Sequence, residues 1–164
     1  MRKTFIAIVL ATLAAGAAAA SDQTDALAFL HQWVDAFNKS GDVKSLPTST
    51  CADQASLLDT VPPYAWVGEG ACTKWLANFN AFAKSNELTD MSASLGKIRH
   101  FEITGDRAYL VAPVVFTYKL KGKPTKESGW WTVGLQRSAS GYRVNAWTYT
   151  FGKTETVAET SPAK

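Results

Sequence analysis

The sequence predicts an α+β domain in which an antiparallel sheet of long strands wraps two helices. Up to Lys84, apolar residues recur at three- and four-residue spacings in two separate stretches, as in helices with one buried face. From Thr89 onward the period falls to two, and short turn-like links place long strands side by side and antiparallel. Of the 164 residues, 46% are apolar and 12% aromatic, which is enough for one packed core.

Met1–Ala20 reads as a cleaved secretory signal. Arg2 and Lys3 give a positive start, Thr4–Gly16 is uncharged, and Ala18–Ala19–Ala20 places cleavage before Ser21. The alternative is a membrane anchor, but the run is shorter than the roughly 20 apolar residues a spanning helix needs. The mature chain is therefore expected in the periplasm or outside the cell, free of the membrane. One domain is expected over residues 21–152, with a polar, frayed tail over residues 153–164.

Ala26, Leu27, Leu30, Trp33, Val34 and Phe37 form the apolar stripe of a first helix over Ala26–Phe37. Ser21, Asp22 and Thr24 are its capping candidates, and Asn38–Gly41 stops it. Asp42–Thr50 suggests a short helical turn broken by Pro47. Ser56–Asp59 and Tyr64–Val67 read as short strands around Val61–Pro62–Pro63. The central helix runs from about Ala71 to Lys84, with Trp75, Leu76, Phe79, Phe82 and Ala83 on its apolar face and Asn86 at its end. Four strands follow: Met91–Ile103, with a bend or bulge at Gly96, then Arg107–Leu120, Ser128–Arg137 and Tyr142–Phe151, the last ended by Gly152.

Cys51 and Cys72 both follow the leader. In an oxidising compartment an even pair is most simply one disulfide, tying the segment after the first helix to the start of the second; two buried free thiols are the alternative. No metal site is expected, because His31 and His100 are the only histidines and neither lies at ligand spacing from a cysteine. The formal charge is +3; removing Arg2 and Lys3 from the 17 basic residues leaves 15 against 14 acidic ones, a net +1. A near-neutral chain without a basic run argues against nucleic-acid binding.

Three stretches carry a family resemblance. Trp33–Val34–Asp35–Ala36–Phe37–Asn38 followed by Gly41–Asp42, the Asp59–Val67 segment followed by Gly68, Ala71, Trp75 and Leu76, and the final Trp147–Tyr149–Phe151 together resemble the nuclear transport factor 2-like superfamily. That group of curved-sheet cones includes SnoaL-like cyclases, steroid isomerases and dehydratases. The resemblance covers most of the mature chain and rests on the order of elements. It implies a cone-shaped curved antiparallel sheet, a cystatin-like roll, wrapped around N-terminal and central helices, with a pocket at the open end. The architecture hosts enzymes and non-catalytic binders alike.

In the steroid-isomerase branch the strand before the glycine–helix block carries an aspartate general base. The matching residue is Asp59. Leu57, Leu58 and Val61 surround it, and an apolar setting raises a carboxyl pKa; an aspartate at a strand end also caps a turn, so both roles stay open. The branch's phenol donor on the first helix is replaced by Trp33, and Trp130–Leu135 holds no acid for its second carboxyl. His100 can pair with Asp59 as an acid–base couple or stand as a solvated sheet histidine.

The aromatic set is the most distinctive feature. Trp33, Tyr64, Trp66, Tyr118, Trp130 and Trp147 are the candidates to line the pocket, which suits a small apolar or aromatic molecule. No cofactor is expected. Leu110, Ala112, Val114, Phe116 and Tyr118 point one way along their strand while Tyr109, Val111 and Val115 point the other. One helix layer covers one face only, so a homodimer through the outer face is expected. The expected function is ligand binding by an exported domain; the alternative is a cofactor-free isomerase, lyase or hydrolase using Asp59 as base.

Overall fold

The computed structural model describes residues 7–40 and 50–157, with the side chains of the first helix from residue 22 to residue 39. The order is α1 (Ala7–Ser40), β1 (Cys51–Leu58), β2 (Ala65–Glu69), α2 (Ala71–Ser85), β3 (Leu88–Leu95), β4 (His100–Thr104), β5 (Arg107–Leu120), β6 (Lys123–Ser138) and β7 (Gly141–Thr156). The strands form one curved sheet in the order β2-β1-β7-β6-β5-β3, with β4 also paired to β5. Both helices lie against its concave face, which is the expected α+β cone.

Hydrophobic spacing decides which helix faces turn inward. On α1 the stripe Ala26, Leu30, Val34 and Phe37 is buried. On α2 the buried residues are Ala71, Cys72, Trp75 and Ala83. They meet Leu57, Leu110, Val114 and Leu135, the largest side chains wholly removed from solvent. Burial of each is worth about 1.5–3 kcal/mol. Cys51 and Cys72 form the disulfide, with Cα atoms 6.3 Å apart. It joins the start of β1 to the start of α2.

Several boundaries differ from those expected. The first helix begins at Ala7, not Ala26, and crosses the point between Ala20 and Ser21. Asp22 therefore caps nothing; its carboxylate accepts from Arg137 Nη2 at 2.5 Å and ties α1 to β6. No helix among the described residues is long and apolar enough to cross a membrane. The helical turn expected in Asp42–Thr50 lies outside the described residues, apart from Thr50. Met91–Ile103 is two strands, because the edge splits at Gly96. The Gly96 N–H donates to Pro113 O at 2.8 Å and the Arg99 N–H to Val111 O at 2.9 Å. A Cβ at Gly96 would lie 2.6 Å from Pro113 Cγ, so only glycine permits this approach.

Gly152 does not end β7, which continues to Thr156 and shortens the expected tail. It is the extra residue of a β-bulge, since Ser128 pairs with Lys153 and Gly129 with Phe151. A Cβ on Gly152 would lie 2.6 Å from Ser128 O, and one on Gly129 would lie 2.5 Å from the Tyr149 ring. These two glycines let the long strands bend. The sheet is also not wholly antiparallel: β1 runs parallel to β7, with Leu57 opposite Trp147. A long excursion separates these strands in sequence, so no tight turn fixes their direction.

A side chain closes the free edge of β3. Asn38, at the end of α1, donates its amide to Ala93 O at 2.8 Å and accepts from Ala93 N–H at 2.7 Å. It occupies the place of a missing strand.

Candidate functional site

The concave face changes character along its length. Toward one end β5 and β6 present Ala108, Leu110, Val133 and Leu135, all buried, and the space left beside Val133 is only about 30 Å³. Toward the other end the same faces present Phe116, Tyr118, Trp131 and Glu127, and the helices stand off. A cavity of about 250 Å³ opens there.

Its walls are rings. Trp33 meets Trp131 edge-on at 5.0 Å between centroids, and Trp75 meets Trp147 at 5.2 Å. Phe116 joins Trp131 at 5.8 Å and Tyr149 at 5.4 Å. Phe37 from α1 and Phe79 and Phe82 from α2 complete the apolar lining. Edge-to-face packing holds the rings by their quadrupoles as well as by buried area. One wall residue carries a buried donor with no hydrogen-bond partner among the described residues, Trp131 Nε1. A buried unpaired donor costs about 1–3 kcal/mol.

Asp59 stands in this wall, just beyond β1. Its backbone N–H donates to Tyr64 O at 3.0 Å and Tyr64 N–H to Val61 O at 2.8 Å, closing the Pro62–Pro63 turn, whose peptide bond is cis. Its carboxylate accepts from Trp75 Nε1 at 2.7 Å through one oxygen and from the Thr60 N–H at 2.6 Å through the other. Burial raises the Asp59 pKa above its ordinary range and outweighs those two hydrogen bonds; the nearby Glu127 charge adds to the rise. Asp59 thus lines the cavity and also joins the turn.

Glu127 is the acid that the sequence reading did not find. It faces Phe116 in register and accepts from the Tyr118 hydroxyl at 2.9 Å. Burial, then Glu127, pushes the phenols of Tyr118 and Tyr149 well above their usual value. The signal was parity: Glu127, Gly129, Trp131 and Val133 alternate onto one face of β6. The Lys121–Gly122–Lys123–Pro124 stretch reads as a turn and the strand is expected only from Ser128, whereas it begins at Lys123.

The other candidates divide. Trp33, Tyr118 and Trp147 line the cavity. Trp66 is buried behind α2, its indole N–H donating to Asn78 Oδ1 at 2.9 Å. Tyr64, 59% exposed, and Trp130, 42% exposed, lie outside the cavity, since Trp130 must face away from Trp131 on one strand. His100 pairs with Val111, whose side chain lies on the convex side; its Nε2 sits 3.1 Å from Glu102 Oε1 and its ring 5.7 Å from Tyr109. It does not line the cavity, so the structure does not bring the proposed His100–Asp59 couple together.

No family model and no curated protein matches the sequence. Solved structures do match in shape. An NTF2-like protein with a cystatin-like fold from Novosphingobium aromaticivorans superposes with a TM-score of 0.65 at 14% identity, covering 87% of this chain and 89% of its own. A hexachlorocyclohexane dehydrochlorinase, LinA type 2, gives 0.65 at 12% identity over 87% and 96%. A nuclear transport factor 2 (NTF2-like) superfamily protein from Salmonella enterica serovar Typhimurium gives 0.66 at 13% identity over 87% and 99%. At these identities the likeness shows the fold: this chain has the nuclear transport factor 2-like cone.

Proposed function

We propose that the cone cavity binds a small apolar or aromatic molecule, held between rings and oriented by the Asp59 and Glu127 ends. The observation that carries this is the ring-walled cavity of about 250 Å³ with two carboxylates in its lining. Native mass spectrometry and thermal-shift screening against hydrophobic and aromatic metabolites test it. A rise in melting temperature with at least one class, lost in Trp131→Ala, is expected; no shift with any class overturns the reading.

A second reading, proton transfer with Asp59 as base, is favoured by one observation: a partly buried carboxylate of raised pKa in the cavity wall, beside an indole donor. The dehydrochlorinase among the similar folds adds a precedent of shape only. Under this reading Asp59→Asn abolishes deuterium exchange into a bound ligand from heavy water while leaving its binding in place. Exchange that persists in Asp59→Asn removes the role.

The setting proposed for this activity is the periplasm or cell exterior, supported by the apolar leader and the disulfide. A mature chain starting at Ser21 in the exported fraction is the expected mass. A homodimer through the convex face is proposed from exposed Tyr109 and Trp130 on that face. Light scattering that gives a monomer well above micromolar concentration counts against it.

A further inference from the structure

The cavity lining is unbalanced in charge. It holds Asp59 and Glu127 and no lysine, arginine or histidine. Each carboxylate is held by neutral donors: Trp75 and Thr60 on Asp59, Tyr118 on Glu127. A partly buried carboxylate without a counter-charge is costly, and the Glu127 charge facing the same cavity adds to that cost at Asp59. Around them the walls are aromatic. The faces of Trp33, Trp75, Trp131 and Trp147 carry the negative side of the ring quadrupole, and tryptophan is the strongest of the aromatic partners for a cation. Both features reject an anion. A neutral guest would satisfy the rings and leave the carboxylates uncompensated.

Resting on the reading of this cavity as a ligand site, we propose that its ligand is an organic cation, an amine or quaternary ammonium joined to an apolar or aromatic body. The cationic head lies toward Asp59 and Glu127, and the body packs against the tryptophans. The head supplies the counter-charge that the lining lacks and gains attraction from the ring faces it displaces water from.

The test compares two molecules of one shape. Benzyltrimethylammonium and neopentylbenzene differ by a nitrogen cation in place of a carbon, and 3-phenylpropionate supplies an anionic arm. Binding to the full chain is followed by tryptophan fluorescence, with calorimetry for the soluble arms. The cation is expected to bind at least about tenfold more tightly than its neutral isostere. That preference should fall several-fold in Glu127→Gln, checked as folded by its circular dichroism. Equal binding of the isosteres, or tighter binding of the neutral or anionic arm, overturns the cation and leaves the cavity reading standing. Failure of all three to bind overturns both. A preference undiminished in both Glu127→Gln and Asp59→Asn overturns the role of the carboxylates; the wild-type comparison decides the cation even if a variant does not fold.

Discussion

The two ends of the concave face are made by the same strands and differ only in what those strands present. At the closed end β5 and β6 bury Leu110, Val133 and Leu135 in the core, and little space is left. At the open end Phe116, Tyr118, Glu127 and Trp131 replace them, and rings propped edge to edge leave a hole. Aliphatic side chains interdigitate to crystal-like density, whereas large rigid rings meeting at steep angles arch over space. One sheet is thus closely packed along one half and hollow along the other.

That contrast is open to attack, most strongly at the closed end. Leu110→Ala should lower unfolding free energy by about 2–5 kcal/mol, read by urea denaturation, because the packed end cannot collapse onto the void. A loss below about 1 kcal/mol would mean that the two ends are packed alike. Removing the disulfide with Cys51→Ser and Cys72→Ser together should cost on the order of 3 kcal/mol in the same assay, since the bridge closes a loop with a sequence separation of 21. Asn38→Ala should cost about 1–2 kcal/mol, with faster amide exchange at Ala93, whose N–H loses its acceptor.

The open end should respond to pH instead. Asp59 has its pKa raised in the folded state, so the folded protein binds a proton more tightly than the unfolded chain does. Its contribution to stability is greatest below the unfolded pKa and is lost as pH rises through the folded value. The stability of Asp59→Asn relative to wild type should therefore climb as pH rises from below the ordinary carboxyl value through the raised folded one. A flat difference would remove the penalty assigned to Asp59. The smallest effect is expected on the convex side: His100→Ala should shift stability by no more than about 0.5 kcal/mol and leave ligand binding unchanged.

The fold was legible because burial imposes periods that survive in one sequence. The stripe from Ala26 to Phe37 and the alternation through Arg107–Leu120 locate a helix and a central strand without further information. The split between β3 and β4 was less legible, because it depends on Gly96 nesting against Pro113, a contact distant in sequence. At the site, Asp59 is legible through a resemblance and its apolar neighbours, while the indole of Trp75, on the apolar face of the central helix, gives no sign in the sequence that it donates to Asp59. Glu127 was lost because turn-like residues precede it, although its parity with Trp131 put it in the cavity. Of the two roles open to His100, the structure gives the solvated sheet histidine, and the break at Gly96 hides from the sequence which face of the strand it occupies.

The parallel seam between β1 and β7 has a bearing on how the molecule is made. Leu57 and Asp59 belong to the early part of the chain, yet the neighbour that holds β1 in the sheet, Trp147 and its strand, is synthesised last. The disulfide can fasten β1 to α2 beforehand, but the sheet behind Asp59 exists only when the C-terminal segment has arrived. Pairing of such distant segments is slow, and the unfinished cone exposes its tryptophans meanwhile. A chain that ends before residue 147 therefore lacks one side of the chamber as well as its final strand.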